Sequence, residues 1–139
     1  MPEVSTAKLG GASVALAMTL AAAPLLAAAA GSWVAQAPSL RVIMAERESL
    51  SQPLLPPPGS THEGEIHSVG WRFEQPPGSA LSARLCQANR CMTLPSARGQ
   101  SQALAGLPAD EALRFHFALM PGQRRAVRVQ GLQVIVNYQ

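Results

Sequence analysis

Few residues in this chain have the type and spacing that chemistry needs. His62 and His67 bracket Glu63 in the pattern H-E-x-x-x-H. Zinc proteases use H-E-x-x-H, which places both imidazoles on one face of a helix with the glutamate as general base. Here the spacing is one residue too long. Gly64 and the preceding prolines also disfavour a helix. Cys86 and Cys91 could complete a zinc site with the two histidines, but a disulfide is the better use of that pair. No serine sits in a nucleophile elbow, and no glycine-rich phosphate loop occurs. Asp110 and Glu111 read as solvated charge at a strand start, and His116 as plain surface on the outward side of a strand. The expectation is a protein without catalytic residues, metal or cofactor. A secreted metal-dependent hydrolase built on His62 and His67 is the enzyme alternative.

Cys86 and Cys91 flank the polar loop Gln87-Ala88-Asn89-Arg90, between two strand-like runs. That pattern predicts a β-hairpin, with the cysteines opposite each other. Cross-strand Cβ atoms lie about 4.5–5.5 Å apart, close to disulfide reach. Closing so short a loop contributes about 2 kcal/mol in the chain-entropy model. The bond is therefore a local staple, and it implies an oxidising compartment. The spacing C-x-x-x-x-C differs from the C-x-x-C of redox catalysts.

The elements around these residues read as strands, and no segment carries a helical period. Val69, Trp71 and Phe73 alternate with Arg72 and Glu74 until Pro76-Pro77-Gly78 ends the run. Leu81, Ala83 and Leu85 lead to the hairpin; Met92 and Leu94 continue beyond it. Leu113, Phe115, Phe117 and Leu119 give the clearest period of two. In Ser39 to Glu46, Leu40, Val42 and Met44 can share a face. Val127 and Val129 form a short strand that Gly131 interrupts. In Gln133 to Tyr138, Val134, Val136 and Tyr138 face one way, and Gln133, Ile135 and Asn137 the other. Ser49 to Glu63, with Pro53, Pro56, Pro57 and Pro58, reads as a loop over an edge, because proline lacks the N–H a central strand needs. Ser96 to Gln102 is polar and unassigned. About seven short strands with Pro/Gly turns predict an all-β fold, an antiparallel β-sandwich. Its core should contain Val69, Trp71, Phe73, Leu85, Leu113, Phe115, Phe117, Val134 and Val136.

The first thirty residues stand apart. After Lys8 an uncharged run, Leu9 to Ala30, is broken by Pro24 and ends in Ala27-Ala28-Ala29-Ala30. This is the layout of a signal peptide helix, with Ala28 and Ala30 read by the peptidase. The division expected is 1–30 signal peptide and 31–139 a single β-sandwich domain, periplasmic and without stable membrane insertion after cleavage. An uncleaved anchor is the alternative, since spanning takes roughly 17–25 apolar residues. The chain has 139 residues and a net charge of +3. Arg41, Arg72, Arg84, Arg98, Arg114 and Arg128 are scattered along it, which points away from a nucleic-acid partner, whose site needs a basic stripe.

Several of these segments also resemble a known family. Val69-Gly70-Trp71-Arg72-Phe73-Glu74, Arg84-Leu85-Cys86 with Arg90-Cys91, Leu113-Arg114-Phe115, and the terminal Gln133-Val134-Ile135-Val136-Asn137-Tyr138 are together similar to the flagellar FlhE family. The likeness runs along residues 69–139, and residues 31–64 carry little of it. The resemblance implies a periplasmic β-sandwich of flagellar biogenesis, with no catalytic residues to carry over. Its expected partners are the flagellar export apparatus or periplasmic flagellar components. Its expected roles are limiting proton leakage through the flagellar type III export apparatus or chaperone-like binding; the alternative is a generic periplasmic binding or chaperone β-sandwich unrelated to flagella.

Overall fold

A computed structural model of the chain describes residues 10–18, 30–59 and 61–139. Among them are nine strands: β1 (Gly31–Ala37), β2 (Leu40–Val42), β3 (Ser49–Leu50), β4 (Ile66–Glu74), β5 (Leu81–Gln87), β6 (Arg90–Thr93), β7 (Arg98–Ser101), β8 (Arg114–Leu119) and β9 (Val127–Tyr138). Every pairing is antiparallel. One sheet runs β1-β9-β4-β7, with β2 also on β9; the other runs β3-β8-β5-β6. No described helix is long and apolar enough to cross a membrane. Residues 10–18 of the expected signal helix are not helical here. The rest of that helix, residues 1–9 and 19–29 with Ala28, lies outside the described residues.

The alternating runs behave as their period requires. Val69, Trp71 and Phe73 of β4 turn inward against Leu85 of β5 and Leu113, Phe115 and Phe117 on or beside β8, and all are buried. Phe73 joins the two sheets: its ring meets Phe115 at 6.0 Å and Phe117 at 5.0 Å, edge to face. Phe115 and Phe117 stack at 5.7 Å. Such pairs add to the burial of their area.

Four segments depart from the sequence reading. β1 was not anticipated, although Trp33 is buried and its indole N–H donates to Ala109 O at 2.8 Å. Part of the proline-rich stretch is a sheet edge instead of a loop: β3 pairs with β8, and Leu54 bridges Leu113 with its side chain fully buried. Edge placement is what proline tolerates. Ser51 supports the same edge, its hydroxyl accepting the Phe115 N–H at 3.0 Å. The polar residues 98–101 form the edge strand β7. Met44, expected to share the inner face with Val42, is exposed, because β2 ends at Val42.

β9 is one continuous strand of twelve residues, not two pieces. Gly131 sits within it at φ +65°, and the register with β4 shifts between Glu74 and Arg72. The extra residue reverses the inward parity. Val127 and Val129 point inward before it, and Leu132, Val134 and Val136 after it.

Candidate binding surface

The hairpin staple is in place. Cys86 and Cys91 face each other in register and are bonded, with Cα atoms 4.0 Å apart. The turn is tighter than the four-residue loop expected. Gln87 pairs with Arg90, leaving Ala88 and Asn89 as a two-residue connection. Ala88 supplies the positive φ, +50°, that such turns require. Gln87 is buried, and its amide donates to Pro108 O at 2.7 Å.

The two histidines of the metal alternative serve different ends. His62 Nδ1 lies 2.8 Å from the Tyr138 hydroxyl, with the rings edge to face. His67 is exposed on β4. Among the described residues no three His, Cys, Asp or Glu side chains gather as a metal site.

His116 is not plain surface. Its side chain is only 16% exposed, and Nδ1 lies 3.7 Å from Glu48 Oε2. Arg84 holds the same carboxylate: Nε donates to Oε2 at 3.0 Å, and a second guanidinium nitrogen to Oε1. The hydrogen bond from Arg84 keeps Glu48 below its ordinary carboxylate range. Burial pushes the His116 imidazole down, against the opposing pull of Glu48. Glu48 could not be placed here from sequence, because its partners lie on β5 and β8.

The outer face of the five-stranded sheet has a different character. β9 is central there, flanked by β1 and β2 on one side and by β4 on the other. From Gln133 to Tyr138 its backbone is paired on both sides, so there only its side chains are offered to a partner. Inward go Val134 and Val136, while Tyr138 is half-buried. Outward go Gln133, Ile135 and Asn137, as the alternation predicted. Register then builds rows across four strands. One row is Gln36, Gln133, Arg72 and Arg98; the next is Val34, Ile135, Gly70 and Gln100. A third begins with Ser32, Asn137 and Ser68, where the Asn137 and Gln100 amides both donate to the Ser68 hydroxyl at 3.1 Å.

Gly70 leaves the middle of this face bare. Around it lies a groove of about 290 Å³, lined by Arg72, Arg98, Gln100, Gln133 and Ile135. Ile135, 40% exposed, is its apolar wall, and the cross-strand neighbour Val34, 45% exposed, extends that apolar surface beyond the groove. Two of the arginines scattered in the sequence meet here, Arg72 opposite Arg98; Arg41 stands opposite Arg128 farther along the same sheet. A groove with amide, guanidinium and aliphatic walls can bind; the described residues place no nucleophile and base together in it.

These features define an all-β, two-sheet sandwich with a stapled hairpin and one grooved outer face. Comparison with known proteins gives it a family. The family model described as Flagellar protein FlhE matches residues 42–139. The chain is 38% identical over 124 residues to Flagellar protein FlhE of Escherichia coli (strain K12), covering 83% of this chain and 92% of that one. It is 34% identical over 126 residues to Flagellar protein FlhE of Yersinia enterocolitica, covering 83% and 86%. A solved structure described as the crystal structure of FlhE superposes with a TM-score of 0.72 at 31% identity, covering 81% of this chain and 99% of that one. The chain belongs to the FlhE family of flagellar proteins.

Proposed function

We propose that this protein is a periplasmic accessory factor of flagellar assembly that acts by binding and not by catalysis. Its finer role is to limit proton leakage through the flagellar type III export apparatus, or to act there as a chaperone. The groove around Gly70 carries the reading: the outward residues of the family-like strand, Gln133 and Ile135, line it. Family membership supports the flagellar setting. The Cys86–Cys91 bond suits an oxidising compartment. Cleavage after Ala30 would leave Gly31, where β1 begins, as the first residue of a domain spanning 31–139.

The test is deletion followed by complementation. Loss of the gene should disturb flagellar assembly or cytoplasmic pH during export. The double variant Gln133→Ala/Ile135→Ser should fail to restore either, while melting at the wild-type temperature. Asn137 is left intact because it holds Ser68. Normal flagella and normal internal pH in the deletion strain would overturn the flagellar reading. Full rescue by the double variant would move binding away from this face.

A further inference from the structure

Arg72 and Arg98 are set directly across β4 and β7, both exposed on the outer face. Like charges in that position repel. Among the described residues neither guanidinium has an ion pair or hydrogen-bond acceptor. Glu74, two positions along β4 on the same side, lies over Gly131 instead. In the same row, Gln133 Oε1 is buried and has no hydrogen-bond partner. That oxygen is enclosed, so a partner in the groove would meet the amide nitrogen of Gln133, which has no acceptor among the described residues. Gly70 is not there to relieve crowding. A Cβ on it would come no closer than 3.7 Å to any neighbour, and its φ is not left-handed. The bare floor, the unpaired arginines and the unsatisfied amide therefore converge on one groove, and none of them stabilises the sheet.

We infer that this groove binds an extended acidic segment of a partner protein. Its carboxylates pair with Arg72 and Arg98, a backbone carbonyl accepts from the Gln133 amide, and an aliphatic side chain lies against Val34 and Ile135. The inference rests on the binding reading above and gives the partner a chemistry. Each wall has its reason. A guanidinium fork matches a carboxylate bidentately. The Gln133 amide nitrogen donates, and a peptide group offers the carbonyl that accepts. The apolar margin suits a side chain and has nothing to offer inorganic phosphate. Nucleic acid is disfavoured for a further reason. Single-strand sites interleave basic groups with aromatic platforms, and here Trp33, Trp71, Phe73, Phe115 and Phe117 are all buried in the core.

The test is an NMR titration of the ¹⁵N-labelled protein, disulfide intact, with acetylated and amidated Glu-Leu-Glu-Leu-Glu. Shifts should concentrate at the amides of Gly70, Gly99, Gln133 and Ile135, and should weaken as salt is raised. The Gln-Leu-Gln-Leu-Gln counterpart should leave those amides unmoved. Arg72→Gln/Arg98→Gln should weaken binding about tenfold or more, the scale of a lost charged hydrogen bond, at an unchanged or higher melting temperature. Gly70→Leu, which fills the floor and keeps both arginines, should weaken it as well. The inference fails if millimolar acidic peptide shifts nothing or shifts other regions. It fails equally if the neutral peptide or the double arginine variant binds as well as the reference pair. Inorganic phosphate or oligothymidylate moving the same amides as strongly would assign the groove to a small anion or to nucleic acid, and overturn the peptide. A failed titration beside a flagellar defect in the deletion strain would discard the acidic partner and leave the flagellar reading standing.

Discussion

Two glycines on neighbouring strands should respond oppositely to the same substitution. Gly99 of β7 stands opposite Trp71 of β4, whose indole comes up against it. A Cβ at Gly99 would sit 2.5 Å from Trp71 Cζ2 and 2.8 Å from Cη2. Carbon atoms pack at about 3.5–4.0 Å, so the ring must retreat by about 1 Å. It has little room, being 6% exposed and anchored by its N–H to Ser96 O at 2.9 Å. Overpacking of this kind costs about 1–3 kcal/mol, and a strained or broken indole hydrogen bond adds about 1 kcal/mol. Replacing glycine in a strand returns about 0.5–1 kcal/mol of chain entropy. Gly99→Ala should therefore destabilise by about 1–3 kcal/mol. Gly70→Ala, whose Cβ meets nothing closer than 3.7 Å, should be neutral or stabilising by up to about 0.5–1 kcal/mol. Urea unfolding followed by tryptophan fluorescence measures both, and Trp71 should report Gly99→Ala already in the folded baseline. Equal midpoints for the two variants would refute the close approach of Trp71 to β7.

Other perturbations test other parts of the fold. Phe115→Ala removes a fully buried ring from the inter-sheet trio and should cost about 3–5 kcal/mol in the same assay; a change near zero would mean that the faces of β8 are assigned the wrong way round. Replacing Cys86 and Cys91 together by serine should cost about 2 kcal/mol or less, because the closed loop is short; loss of folding would make the staple a framework. His116 sets a pH dependence. Its folded value is depressed, so protonation favours the unfolded chain: the stability it contributes is full above 6.5 and declines as pH falls below that value. His116→Gln should flatten this decline in urea midpoints measured across pH and leave a second one, below 4.5, that belongs to Glu48.

The sequence was most legible where one strand alone decides the outcome. Period-two runs fixed the inward residues of β4, β5 and β8, and every core residue expected from them is buried. Local turn chemistry brought Cys86 and Cys91 together. Legibility failed where the partner strand decides. β7 reads Arg98-Gly99-Gln100-Ser101, with no apolar alternation, because its inward side is a glycine under a tryptophan borrowed from β4. β1 and β2 hide for another reason. Trp33, Ala35 and Ala37 face inward at odd positions and Leu40 and Val42 at even ones, so the alternation changes phase at Pro38-Ser39. Leu54 could be placed in the core only by knowing that its loop hugs β8. The groove was half legible. The outward set Gln133, Ile135 and Asn137 followed from alternation, whereas the meeting of Arg72 with Arg98 depends on the register of two strands far apart in the chain.

The phase change links core and groove. Opposite Pro38-Ser39 stand Gln130 and Gly131, where β9 makes its own change of parity. Both strands reverse together, so they remain in register on either side: Ala37 pairs with Leu132, and Leu40 with Val129. Had β9 kept the phase of Val127 and Val129, Gln133 and Ile135 would point into the core, because a one-residue slip exchanges the two faces of a strand. Gly131 allows the extra residue at φ +65°, a conformation that costs side-chain-bearing residues about 1–2 kcal/mol. The inserted residue therefore does two things at once. It keeps Leu132, Val134 and Val136 in the core, and it delivers an amide and an aliphatic side chain to the surface beside Gly70. Core packing alone accounts for the first set, and leaves Gln133, Ile135, Arg72 and Arg98 to be explained by what the outer face meets.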